Sequence, residues 1–166
     1  MASRVLLVGE NNPYGADPEF ALYCYPPGCA GHRLFRIFGL PEDQYLGLHR
    51  TNLCAGDWSK TQAQARVWEL LSPQAPWRVI VLLGRKVTES FEKVALDSPL
   101  VAFSTRGCCP GMTLVSLPHP SGRNAAMWNP KARDRARQIM RELVPELPWG
   151  SADVATKAPA TAEGAA

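Results

Sequence analysis

The chain has 166 residues, 46% of them hydrophobic, and a formal charge of +3 at neutral pH. That suffices for one globular domain with a single core, and no apolar run approaches the roughly 20 residues that span a bilayer. Residues 1–4 lead straight into a strand-like run without a signal-peptide pattern, so a soluble, cytoplasmic protein with no membrane partner is expected. The five cysteines, Cys24, Cys29, Cys54, Cys108 and Cys109, form no C-x-x-C pair, and reduced, mostly buried thiols are expected rather than metal ligands.

In chain order, the first element is "RVLLVG" (4–9), a continuous apolar run ended by Gly, which predicts a strand buried on both faces. An irregular stretch dense in Pro, Gly, Asn and aromatics follows. "AGHRLFRIFGL" then sets Leu34, Ile37 and Phe38 at helical spacing and stops at Gly39, a C-cap. A second strand is predicted over 45–53. An amphipathic helix over 61–71 is expected to turn Ala65, Trp68 and Leu71 inward. "RVIVLLG" (78–84) predicts the third strand, "KVTESFEKVAL" the next helix, and "MTLVSLP" (112–118) the fourth strand. "NPKARDRARQIMREL" closes the domain as a helix with Ala132, Ala136, Ile139 and Leu143 inward and Arg133, Arg137 and Arg141 recurring on another face. Residues 150–166 hold small, polar and alanine residues and are expected to be a disordered tail, leaving 1–149 as the domain.

Four apolar strands alternating with helices imply a three-layer α/β/α sandwich around a four-stranded parallel sheet. In such sheets working residues gather beyond the carboxyl ends of the strands. Those ends here are "GENNPYG", "TNLCAGDW", "LLGRK" and "LPHPSGRN". The last holds His119 between two prolines and follows it with Ser121, Gly122, Arg123 and Asn124.

From Val5 to Asn129 these segments resemble, in order, the uracil-DNA glycosylase superfamily. "VGENNPYG" resembles its first active-site motif, "PGCAGHRL" its G-x-A-G-x-x-L element, "TNL" its base-reading strand end, "VIVLLG" its V-I-V-x-L-G strand and "LPHPSGRN" its H-P-S loop. The resemblance implies an enzyme that flips a damaged or modified pyrimidine, uracil by default, out of DNA and hydrolyses its N-glycosidic bond without a cofactor. It implies a monomer whose partner is DNA and whose location follows DNA.

By the same resemblance, His119 donates a hydrogen bond to the departing base, and Asn52, with both a donor and an acceptor, reads its edge. Ser121 and Gly122 let backbone amides approach a phosphate, and Arg123, followed by Asn124, takes the place of the residue inserted into the gap left by the flipped nucleotide. The water-positioning residue stays open between Glu10 and Asn12, according to whether the first motif is aligned on Gly9 or on Pro13, with Asp17 a further carboxylate. The stacking aromatic stays open between Tyr23 and Tyr25, and Tyr14 is placed to wall off the base. No cysteines precede the first motif, so an iron–sulfur cluster is not expected. Two other readings accompany this one: a glycosylase for hypermodified cytosines of phage DNA, acting in defence, and a module that binds flipped bases without cutting them.

Overall fold

The computed structural model describes residues 3–11 and 17–155, with the side chains of 154 and 155 excepted. It is an α/β structure with one five-stranded, mostly parallel sheet flanked by helices. In chain order the elements are β1 (Val5–Asn11), α1 (Ala30–Phe38), α2 (Glu42–Leu46), β2 (His49–Cys54), α3 (Lys60–Leu70), β3 (Val79–Leu83), α4 (Arg85–Ala95), β4 (Ser104–Cys109), β5 (Met112–Leu117), α5 (Pro130–Leu143) and α6 (Ala152–Ala155). The sheet order is β2-β1-β3-β5-β4. Strands β2, β1, β3 and β5 pair in parallel, and β4 joins β5 antiparallel.

The expected four-stranded parallel sheet therefore acquires a fifth, antiparallel edge strand. Its residues, Ser-Thr-Arg-Gly-Cys-Cys, alternate between half-buried and exposed and carry no apolar run, so a pattern search for buried strands passes over them. Pro110 and Gly111, the latter at φ +78°, turn the chain from β4 into β5. The strand predicted over 45–53 is divided, since α2 ends at Leu46 and β2 begins at His49.

Alternation along the strands sorts their side chains to two faces. Val5, Leu7, Val79, Val81, Val115 and Leu117 pack with Leu34, Ile37 and Phe38 of α1 and Ala136, Ile139 and Met140 of α5. Leu6, Val8, Ile80, Leu82 and Leu114 pack with Ala63, Val67 and Leu70 of α3 and Val87 and Phe91 of α4. Helix α1 behaves as its spacing predicts, down to Gly39 in the left-handed region at φ +58°.

Helix α3 is rotated from the expected stripe. It buries Ala63, Val67 and Leu70, and leaves Trp68 65% exposed. The arginines of α5 do not form a free stripe either. Arg137 is buried, donating from Nε to Ile37 O at 2.6 Å and from Nη2 to Arg36 O at 3.1 Å, and it pairs with Asp153 at 2.6 Å. It thereby satisfies carbonyls at the C-terminal end of α1 that no helical N–H reaches. Arg141 donates to Trp149 O at 3.0 Å. The same contacts move the end of the packed chain beyond the expected boundary at 149. Gly150 N donates to Phe38 O and Ala152 N to Gly39 O, both at 2.9 Å, and α6 follows. No helix among the described residues is long and apolar enough to cross a membrane.

Candidate active site

The carboxyl ends of β1, β2, β3 and β5 meet at one edge of the sheet. In the β1–β2 ladder, Gly9 stands opposite Asn52. A Cβ on Gly9 would overlap Asn52 Oδ1 and crowd Leu22, so the glycine makes the room that the Asn52 amide occupies. Gly84, directly after β3, has φ +101°, and the point its Cβ would take lies 3.2 Å from Glu10 Oε1 and 3.0 and 3.4 Å from His119 Cβ and Cδ2. Only a glycine adopts that backbone without strain, and only a glycine lets Glu10 and His119 converge over it. Lys86, on the first turn of α4, sets its Nζ 3.6 Å from Glu10 Oε2.

His119 is held at both its ring and its backbone. Its Nδ1 accepts from Ser121 N–H at 3.1 Å, and its carbonyl accepts from Asn124 Nδ2 at 3.2 Å and Trp128 Nε1 at 3.4 Å. Burial pushes its pKa below the ordinary value; the Glu10 carboxylate opposes that shift, and the Lys86 ammonium adds to it. The ring is therefore neutral at pH 7. With Nδ1 engaged as an acceptor, its single proton sits on Nε2, leaving a donor.

The other wall comes from the irregular segment between β1 and α1. Asp17 caps the 3₁₀ turn Pro18–Phe20 by accepting from Glu19 N at 3.0 Å. Leu22 takes φ +51°, and its carbonyl accepts from the buried Tyr45 hydroxyl at 2.8 Å. This turn brings Phe20 and Tyr23 edge to face at 5.7 Å, with Tyr25 6.0 Å beyond Tyr23. Tyr25 is tied at 2.5 Å to Glu42 Oε2, and this hydrogen bond pushes its phenol up to about 12. Gly31, at the start of α1, lies so close beneath Leu22 and Tyr23 that any Cβ would overlap their backbone.

Between the walls lies a cleft of about 620 Å³ lined by Glu10, Asn11, Phe20, Tyr23, Tyr25, Asn52, His119 and Ser121. No protein-family model matches the chain, and no curated protein matches it.

Of the residues singled out in the sequence, Glu10, Asn52, His119, Tyr23, Tyr25 and Ser121 share this one cleft. Asn12 and Tyr14 lie outside the described residues. Asn124 faces inward, bonding the His119 carbonyl, while Arg123 is exposed and Gly122 packs against the Arg33 guanidinium. Phe20, Asn11, Lys86 and Gly84 were not anticipated as parts of the site. Phe20 carries the clearest signal, an aromatic within a Pro- and Gly-rich segment, and it is 52% exposed. Lys86 could have been found as the cation one residue into the helix after "LLGR".

No group of three or more His, Cys, Asp and Glu able to hold a metal occurs among the described residues. The arrangement offers a carboxylate and a neutral N–H donor facing one space, an amide that reads donors and acceptors, and π-faces opposite. Such a set can stabilise a cation and an anion developing within a few ångströms of each other.

Proposed function

We propose that the protein is a monofunctional DNA N-glycosylase of the uracil-DNA glycosylase kind, its sheet and flanking helices forming that three-layer fold. The observation that carries the reading is the meeting of Glu10, Asn52 and His119, whose Nδ1 accepts from Ser121 N–H, at one sheet edge with an aromatic wall on the same cleft.

A pyrimidine flipped into the cleft stacks against the Phe20, Tyr23 and Tyr25 wall and presents its edge to Asn52. As the C1′–N bond breaks, its electron pair passes to the base, and the His119 Nε2–H donates to the oxygen where that charge gathers. A neutral imidazole is suited to this because it stabilises the anion without having to give up its proton. The Glu10 carboxylate faces the cationic sugar and takes the proton of the water that adds to C1′. Ser121 spends its N–H on His119 Nδ1, so of the two loop residues expected to approach a phosphate only Gly122 is placed to offer its amide.

The size of the cleft favours a second reading of the substrate. About 620 Å³ lies within the range of pockets that enclose drug-sized ligands, and much of the lining is aromatic and open. A cleft of that volume suits a pyrimidine bearing a bulky substituent, as in hypermodified phage DNA.

The test is incubation of the protein with end-labelled DNA carrying uracil or a hypermodified cytosine, followed by alkali. Strand scission at the modified position supports the reading and names the base. Intact strands with both substrates, from folded protein that binds them, would make it a base-binding module.

A further inference from the structure

Behind the His119 loop lies a second concavity, of about 320 Å³, lined by Arg33, Arg36, Arg133, His32 and Trp128, with Ser121 shared between it and the cleft. No carboxylate lines it. Elsewhere among the described residues, Arg66, Arg78, Arg85, Arg106 and Arg137 each lie within 4.0 Å of an acidic side chain. Arg33, Arg36 and Arg133 have no such partner among the described residues.

Two of the three are aimed rather than loose. Arg33 donates from Nε to Gly28 O at 3.1 Å, and its Nη2 lies 3.1 Å from the point a Cβ on Gly122 would take. Arg133 donates from Nε to Trp128 O at 3.0 Å. In both, the protein takes the Nε–H and leaves the terminal N–H pairs, the fork that grips two oxygens at once. His32 gives its Nδ1–H to Cys24 O at 3.0 Å, which fixes its ring in the same wall. Three guanidinium groups gathered at one hollow repel one another unless an anion joins them.

We propose that this hollow binds a backbone phosphate of the nucleic-acid strand whose nucleotide enters the cleft, with Ser121 as the divider between the two subsites. The identity of the strand rests on the nucleotide-binding reading of the cleft; the preference for a phosphate rests on the arginines alone. The loop that carries His119 is then clasped between base and backbone.

The probe is a short fluorescein-labelled single strand carrying one 2′-fluorinated deoxyuridine, which resists glycosidic cleavage. Its affinity for the wild type, Arg36→Gln and the Arg36→Gln/Arg133→Gln double variant is read by anisotropy across a salt series. Arg36 donates no side-chain hydrogen bond within the described residues, and melting temperatures control for folding of the double variant. Each lost guanidinium should weaken binding about tenfold at low salt, and the double variant should lower the slope of log K on log salt by about 0.7, the value for one phosphate on a single strand.

A second series replaces each phosphate in turn by a neutral methylphosphonate. One linkage beside the deoxyuridine should matter to the wild type and not to the double variant. Unchanged affinity and slope in folded variants, or no measurable binding by the wild type, overturns the phosphate site whatever the enzyme does to the base. A reduced slope with no preferred linkage keeps the phosphate site and removes the base-in-cleft reading. Displacement of the strand by an equal concentration of deoxyuridine 5′-monophosphate in the wild type alone overturns the strand as the source in favour of a free nucleotide.

Discussion

The two walls of the cleft are built by different means. Glu10, Asn52 and His119 stand at or just past strand ends, fixed by ladder register and by glycines whose missing Cβ atoms leave room for them. Phe20, Tyr23 and Tyr25 belong to an irregular segment held by a 3₁₀ turn, a left-handed leucine and single hydrogen bonds from Tyr45 and to Glu42. In the proposed mechanism the groups that must meet a reacting atom to within a fraction of an ångström hang on the sheet, and the groups that only offer a face hang on a loop. Changes in the first wall should therefore act on the chemical step, and changes in the second on binding.

The largest effect is expected at Glu10. Glu10→Gln keeps the shape and removes the proton acceptor, so single-turnover base release should fall by roughly 10²–10⁴. Asn12→Ala, measured on the same substrate, should have a much smaller effect. The reverse ranking would move the water-activating role to Asn12 and break the assignment of the carboxylate to the sheet-borne wall.

Next comes His119→Ala, which removes a donor acting only as the base becomes an anion. Its rate should drop by about 10²–10³ while DNA affinity changes little. A variant that releases base at the wild-type rate takes His119 out of the mechanism.

The same contrast explains what was legible in the sequence. Strands β1, β3 and β5 are runs buried on both faces, and the short length, β-branched residues and flanking turn residues of "VLLVG", "VIVLL" and "MTLVSL" favour a strand over a helix. The residues just past such runs were recognisable as candidates, and Glu10 and His119 line one cleft. Strand β4 was not, because an edge strand of Ser, Thr, Gly and Cys needs only ladder bonds from β5 and carries no apolar signature. The inward face of α3 was misjudged because Trp68 is the largest apolar residue there, while the helix packs through the smaller Ala63 and Val67. Periodicity puts Arg137 off the apolar stripe of its helix, and its burial depends on the orphan carbonyls of α1, a hundred residues earlier in the chain. The aromatic wall was legible as composition only: Tyr23 and Tyr25 were candidates, but Phe20 enters through the turn at Leu22, which no periodicity encodes.

A moderate effect is expected from the loop-borne wall. Phe20→Ala removes a half-exposed π-face, and stacking of a base on an aromatic is worth about 1–3 kcal/mol. KM should rise by roughly tenfold with kcat nearly unchanged. A fall in kcat at constant KM would show that the loop positions the reacting atoms after all, and the distinction between the walls would fail.

The smallest effect, and the most specific, concerns Lys86. Its ammonium stands beside Glu10 and helps to hold the His119 pKa below its ordinary value of about 6.5. In the proposed mechanism the neutral ring is the donor, so activity should be level near neutrality and decline in acid as His119 takes a second proton. Lys86→Met removes a positive neighbour, so the His119 pKa should rise and the acid limb of the rate profile should move to higher pH. Glu10 opposes the shift, and Glu10→Gln should move the His119 titration, followed by NMR, the other way. Stability follows from the same sign. Folded His119 binds its proton more weakly than the unfolded chain does, so the native state keeps its full advantage above about pH 6.5 and loses it as the pH falls from there through the lowered folded pKa. With Lys86 replaced, that window narrows and the acid loss becomes smaller, which thermal melts across pH 5 to 7 can read. An acid limb and a melting profile unchanged in Lys86→Met would mean that burial alone sets the state of His119, and that the cation after β3 belongs to the surface rather than to the site.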